Sequence, residues 1–177
     1  MHILTLCGST RPDSSNARLL RAFAELDAAL YPESDNVWTE GPTLGELPLF
    51  TTEALERERA GEAPEVFTQV AELRATVAAA DVVLIATPEY AHNLPAALKS
   101  ALEWTVASGE FAGKRVVAMT GTPHPPRGEH CMQSLVWTLQ ALDARVLAEV
   151  PLYGVSDVRE EGLREMMGAV LEATGAG

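Results

Sequence analysis

Hydrophobic positions in this chain follow two rhythms that alternate from one end to the other. Residues 2–7, HILTLC, are a short apolar run that stops at Gly8, and residues 14–30 then place Leu19, Leu20, Phe23, Leu26 and Leu30 at helical spacing. The pair predicts a strand followed by a helix. A weak strand signal at 37–39 precedes an irregular section, residues 41–65, which turns helical over 66–80. DVVLIATPEY, residues 81–90, is the strongest strand signal: an unbroken, β-branched apolar run closed by Pro88, as expected of a central strand buried on both faces. Further along, 95–106 reads as a helix with proline in its first turn, 114–121 as a strand and 129–142 as a helix. A strand at 145–154 and a helix at 158–171 complete the pattern. Five strands interleaved with five helices predict an α/β fold: a parallel sheet covered on both faces and joined by right-handed crossovers. The irregular 41–65 section is expected to extend over a site or to form a contact surface.

Composition narrows the class. At 177 residues the chain is expected to form one domain, 1–177, with its own core. Hydrophobic and charged contents of 47% and 21% suit a globular protein. No stretch reaches the roughly 18 apolar residues of a membrane span, and the N-terminus lacks the basic flank of a secretory signal, so a cytoplasmic protein with no membrane partner is expected. Cys7 and Cys131 fit neither a zinc pattern nor a disulfide framework. A net charge of −12, from 13 Lys and Arg against 25 Asp and Glu, argues against a nucleic-acid surface. Any bound anion must be held locally.

In such a sheet, ligands bind beyond the carboxyl ends of the strands, near the point where strand order reverses. The segments leaving the first, third and fourth strands are GSTRPDSSN, TPEYAHNLP and TGTPHPPRGEH, the most unusual stretches of the chain. In the first, Ser9, Thr10, Ser14 and Ser15 offer hydroxyls, Asn16 an amide and Arg11 a fixed charge, while the helix behind them adds free N–H groups and a positive dipole end. Those groups describe a site for one phosphate. An ordinary helix cap at Asp13, Ser14 or Ser15 is the simpler reading, but it accounts for neither Arg11 nor the number of donors. The dinucleotide and nucleoside-triphosphate loops are absent here. In the second segment Glu89, Tyr90, His92 and Asn93 sit on a turn whose backbone can line a flat polar ring; taken singly, Tyr90 could be a core aromatic, Glu89 a solvated charge and His92 a surface histidine. In the third, His124 and His130 lie six apart with no third ligand, so no metal site is assigned. Trp104 and Trp137 are expected in helix packing or at a subunit interface.

GSTRPDSSN matches the G-S-x-R-x-x-S-x-N phosphate loop of the NADPH-dependent FMN reductase family, and TPEYAHNLPAALKSALEW resembles that family's P-E-Y…P-x-x-L-K-x-A-[ILV]-[DE]-W segment. The resemblance covers about residues 2–150. It implies a flavodoxin-like three-layer sandwich, with a five-stranded parallel sheet in strand order 2-1-3-4-5. It further implies FMN at the rim, NADPH or NADH as electron donor, quinones or similar small molecules as acceptors, and a homodimer or tetramer. Carried over position by position, Ser9, Arg11, Ser14, Ser15 and Asn16 would hold the FMN phosphate. Pro88, Glu89, Tyr90 and Ala91 would line the ribityl chain and ring, and Thr120, Gly121 and Thr122, with Pro123, would approach from the other side. Ala91 stands where many members carry Asn. The fourth-strand loop, often glycine-rich in the family, here holds three prolines that remove N–H donors.

Flavin chemistry needs no side-chain acid or base, so no catalytic residue is assigned. Two other readings of the same fold stand beside the reductase: a flavodoxin-like electron carrier, and a non-catalytic protein with weakened flavin binding.

Overall fold

The computed structural model describes residues 1–154 and 161–175. The central sheet has strands β1 (His2–Cys7), β2 (Val37–Glu40), β3 (Val82–Thr87), β4 (Arg115–Thr122) and β5 (Arg145–Tyr153), all parallel, in the order β2-β1-β3-β4-β5. The expected flavodoxin-like order is therefore present. It reverses between β1 and β3, which places the switch point between the first and second loops.

Helices α1 (Ser15–Leu30), α2 (Thr52–Arg59), α3 (Thr68–Ala79), α4 (Ala96–Glu103), α5 (Glu129–Ala141) and α6 (Glu161–Thr174), with short 3₁₀ helices at Leu44–Glu46 and Pro64–Phe67, complete the described elements. Alternation along the strands divides the core in two. Ile3, Val82, Leu84, Ala86, Val117 and Met119 face Leu19, Leu20, Phe23 and Leu26 of α1 and Met167, Val170 and Leu171 of α6. Leu4, Leu6, Val83, Ile85, Val116 and Ala118 turn the other way, onto α3, α4 and α5. Every residue of β3 is buried, as its unbroken apolar run predicts. Each large apolar side chain on these faces contributes about 1.5–3 kcal/mol by leaving water.

Two expectations need correction. The 41–65 section is not a single irregular stretch: it contains α2, capped by the Thr51 hydroxyl, which accepts from the Ala54 N–H at 3.0 Å. Its sequence, TEALERER, has too few apolar positions to show a helical period. What marks it is charge order, with Glu53 in the first turn and Arg57 and Arg59 in the last, matched to the helix dipole. Nor does any residue of this section line the rim cavity, although Gly45 packs against Thr10 of the first loop. The section docks on Trp104, which is fully buried, donates from Nε1 to the Pro48 carbonyl at 2.7 Å, and meets the Phe50 and Phe67 rings edge-on at 5.2 and 5.7 Å. Arg74 ties the unit from α3, donating to the Trp104 carbonyl at 2.9 and 3.1 Å and pairing with Glu58 of α2 at 2.8 Å.

The expected helix at 158–171 is observed over Glu161–Thr174, and residues 158–160 lie outside the described residues. Edge strand β2 is fixed to α1 by Asp27, a buried carboxylate that accepts from Trp38 Nε1 at 2.8 Å and from Asn36 Nδ2 at 3.1 and 3.2 Å. Among the described residues no helix is long and apolar enough to cross a membrane.

Candidate functional site

Strand β1 leaves the sheet through Gly8, where no other residue fits: a Cβ there would lie 2.6 Å from the Thr87 Cβ and 3.0 Å from Leu98 Cδ2. That close approach seats the first loop against the second. Ser14 then caps α1, its hydroxyl accepting the Ala17 N–H at 3.1 Å, so the simple capping reading is correct for this residue. Ser9 plays a similar local part, accepting the Arg11 N–H at 3.3 Å. Neither role uses the hydroxyl proton of Ser9. The N–H groups of Ser15 and Asn16 find no acceptor among the described residues, and neither does the Arg11 guanidinium. An open helix end, two unoccupied N–H groups and a free cation remain after every cap has been counted.

A cavity of about 390 Å³ opens beside this loop, lined by Ser9, Arg11, Ser14, Ser15, Asn16, Arg18, Pro88, Glu89, Tyr90, Gly121, Thr122, Pro123 and Arg127. The three loops thus meet at one rim. Asn16, almost fully buried, fastens the first loop to the third by donating from Nδ2 to the Gly121 carbonyl at 3.4 Å, while its Oδ1 has no donor among the described residues.

Of the twelve residues assigned from sequence, ten line the cavity and two do not. Ala91 sits with His92 in a tight turn, both left-handed at φ 49° and 59°, closed by reciprocal hydrogen bonds between Tyr90 and Asn93 at 3.0 and 3.1 Å. Ala91 is exposed there and is not among the residues lining the cavity. Thr120 is fully buried and is not among the cavity-lining residues; its Oγ1, close to Gly128, has no partner among the described residues. Tyr90 is 51% exposed and so is no core aromatic. Arg18 and Arg127 line the cavity without having been singled out. Arg18 follows Ser14 by one helical turn, a spacing that places it on the same rim.

Glu89 lines the cavity but is not a solvated charge. Its side chain is only 5% exposed, and Oε2 accepts from the Gly128 and Cys131 N–H groups at 3.0 and 3.3 Å. The carboxylate therefore caps α5 from a distant loop, where Gly128, at φ 99°, supplies no side-chain cap of its own. Its other oxygen lies 3.6 Å from His92 Nδ1, and the His92 ring meets His130 edge-on at 5.4 Å. This clasp, with the Thr122 hydroxyl donating to the Arg127 carbonyl at 2.8 Å, holds the proline-rich loop in place. Trp137, by contrast with Trp104, stands 62% exposed on α5.

Cys131 lies beneath the same clasp. Burial and the neighbouring Glu89 carboxylate push its thiol up to about 12, against an ordinary value near 9.0. Between those values the unfolded chain has lost its thiol proton and the folded chain has kept it, so stability falls as pH rises. The slope reaches about 1.4 kcal/mol per pH unit at most. Comparing urea unfolding of wild type and Cys131→Ala at pH 8 and pH 11 should show the wild type losing more stability than the variant. Equal losses would disprove the burial assignment.

The profile of the NADPH-dependent FMN reductase family matches residues 1–154. The chain belongs to this family. Among relatives, the quinone reductase of Escherichia coli (strain K12) is 29% identical over 156 residues, which span 87% of this chain and 77% of that protein. FerB, a flavoenzyme NAD(P)H:(acceptor) oxidoreductase from Paracoccus denitrificans, superposes with a TM-score of 0.75 at 19% identity, covering 98% of this chain and 97% of that one. An FMN-dependent NADH-azoreductase from Bacillus anthracis str. Ames Ancestor, solved in complex with FMN, gives 0.63 at 15% identity over 98% and 96% of the two chains. These similarities establish the flavodoxin-like fold of the FMN reductases. Membership makes the protein an oxidoreductase that works through FMN with NAD(P)H as donor.

The cavity of this FMN reductase suits such a cofactor on its own chemistry. One end offers a cation, hydroxyls and an open helix N-terminus to a phosphate, and Asn16 Oδ1 offers a buried acceptor to a hydroxyl-bearing chain.

Proposed function

We propose that this protein reduces quinones or chemically similar small acceptors, drawing electrons from NADH or NADPH through FMN held in the rim cavity. The observation that carries the site is the meeting of the Arg11 loop and the Pro88–Glu89–Tyr90 and Gly121–Thr122–Pro123 segments around one space of about 390 Å³. The acceptor class draws support from the quinone reductase relative.

Bound FMN would supply the two-electron chemistry that no side chain in the cavity has. Ser9, Arg11, Ser14, Ser15 and the first N–H groups of α1 would fix its phosphate, setting position and orientation. Asn16 would accept from the chain beyond it and keep the first and third loops in register. Pro88, Gly121 and Thr122 would wall the deeper part and exclude water. Tyr90, half in solvent at the mouth, is placed to cover whatever enters. Glu89 sets the position of the α5 end and the proline-rich loop, and so the width of the cavity.

We propose further that the chain, a single cytoplasmic domain, pairs as a homodimer. Exposed Val106 and Trp137 both border the groove between α4 and α5, an apolar surface suited to a second copy.

An absorption spectrum of purified protein before and after FMN and then NADPH tests the reading. Flavin should bind, bleach within seconds on NADPH, and recover its colour when a benzoquinone is added. Flavin that binds but resists NADPH would point to an electron carrier. No uptake would overturn the site itself, and light scattering on the same sample reads the mass.

A further inference from the structure

The chain carries a net charge of −12, yet three of its 13 basic residues, Arg11, Arg18 and Arg127, line one cavity. Their spacing in sequence, with Arg127 more than a hundred residues beyond the other two, conceals this cluster. Arg18 is partly committed, donating to the Asp13 carbonyl at 2.6 Å. Arg11 and Arg127 have no side-chain partner among the described residues. Two unpaired guanidiniums in an acidic protein imply two anionic groups to be held, or one held twice.

Topology favours two. Arg11 comes from the loop after β1 and Arg127 from the loop after β4, and β3 lies between those strands. The two loops therefore leave the sheet about 10 Å apart. A phosphate at the start of α1 finds its donors on the β1 side: Ser9, Arg11, Ser14, Ser15 and two free N–H groups. The other helix end at the rim, that of α5, is filled by the Glu89 carboxylate. An anion on that side meets no open N–H cluster and depends on Arg127 alone.

The backbone of Arg127 is fixed for such a task. Its N–H donates to the His124 carbonyl at 3.1 Å, its carbonyl accepts from Thr122 Oγ1 at 2.8 Å, and the next residue is tied to Glu89. A guanidinium projecting from a fixed backbone loses less freedom on binding, and its planar fork suits a phosphate through paired hydrogen bonds.

We propose that Arg127 forms a second anion subsite, which takes a phosphate of the nicotinamide dinucleotide donor and leaves the FMN phosphate to Arg11. The proposal rests on the function read above, so its test must be separable from turnover. ADP-ribose has the donor's diphosphate but no nicotinamide, and its binding to the FMN-saturated protein can be followed by calorimetry.

Arg127→Ala should weaken ADP-ribose at least about tenfold while FMN affinity changes less than about twofold, with Arg127→Lys in between. The NADPH concentration giving half-maximal flavin reduction should rise in parallel. Equal effects on NADH and NADPH would place Arg127 on the diphosphate, and an effect on NADPH alone, with ADP-ribose unchanged, on the 2′-phosphate. Arg127→Ala leaving ADP-ribose and both nucleotides unchanged overturns the subsite. So does an equal loss of FMN, which would mean one phosphate shared by two arginines, or a wild type that binds neither ADP-ribose nor the nucleotides. If ADP-ribose binds through Arg127 but NADPH does not reduce the flavin, the reductase reading fails and the subsite stands.

Discussion

Trp104→Ala is expected to destabilise the protein by about 3–5 kcal/mol, the range for removing a buried aromatic side chain. Trp104 is fully buried, and its removal strips Phe50 and Phe67 of their shared partner and leaves the Pro48 carbonyl without its donor. Arg74, whose guanidinium sits 5.9 Å from the ring centre, would lose that contact while keeping Glu58. Urea unfolding measures the loss. Trp104→Phe separates its parts, because it keeps most of the packing and removes only the N–H, at a cost of about 1–3 kcal/mol for the stranded acceptor. Since no residue of the docked section lines the cavity, FMN affinity at a temperature where both proteins are folded should hold. A loss below about 1 kcal/mol for the alanine variant would show that residues 41–67 are not anchored through this ring.

Arg11→Ala is expected to raise the FMN dissociation constant about ten- to a hundredfold, the loss of one paired, charge-assisted contact worth about 1.5–3 kcal/mol. Riboflavin, which lacks the phosphate, should bind the variant about as well as it binds wild type. Ser14→Ala makes a useful contrast. It removes a cap from α1 as well as a donor, so it should lower stability by about 1 kcal/mol, whereas Arg11→Ala should leave stability nearly unchanged. Flavin fluorescence titrations give both constants. Equal losses for FMN and riboflavin would refute the phosphate role of Arg11.

The site was legible to different depths in its three loops. The first could be read almost completely, because a strand exit, a cap and a helix start are local events and its five assigned residues all reach the cavity. The second was read in composition but not in geometry. Nothing in TPEYAHNLP shows that Glu89 reaches across to cap α5, since its partners are Gly128 and Cys131, some forty residues away. Ala91 was assigned to the site through the family resemblance, and in the structure it lies in a left-handed turn outside the cavity lining. The proline-rich third loop looked poorly equipped for a ligand. Its backbone is held by Thr122 and Glu89, which leaves Arg127 as the donor it contributes.

Local chemistry in the sequence determined the strands and most of the helices, the parallel sheet and the donor-rich character of the first loop, because hydrophobic period and capping act over a few residues. Tertiary structure decided what depends on distant partners: that residues 41–67 pack on Trp104, that Glu89 is a helix cap, and that Arg11 and Arg127 share one cavity. Such pairings depend on which strands lie side by side and which helix ends face each other. Those relations are fixed only when the whole sheet closes its core.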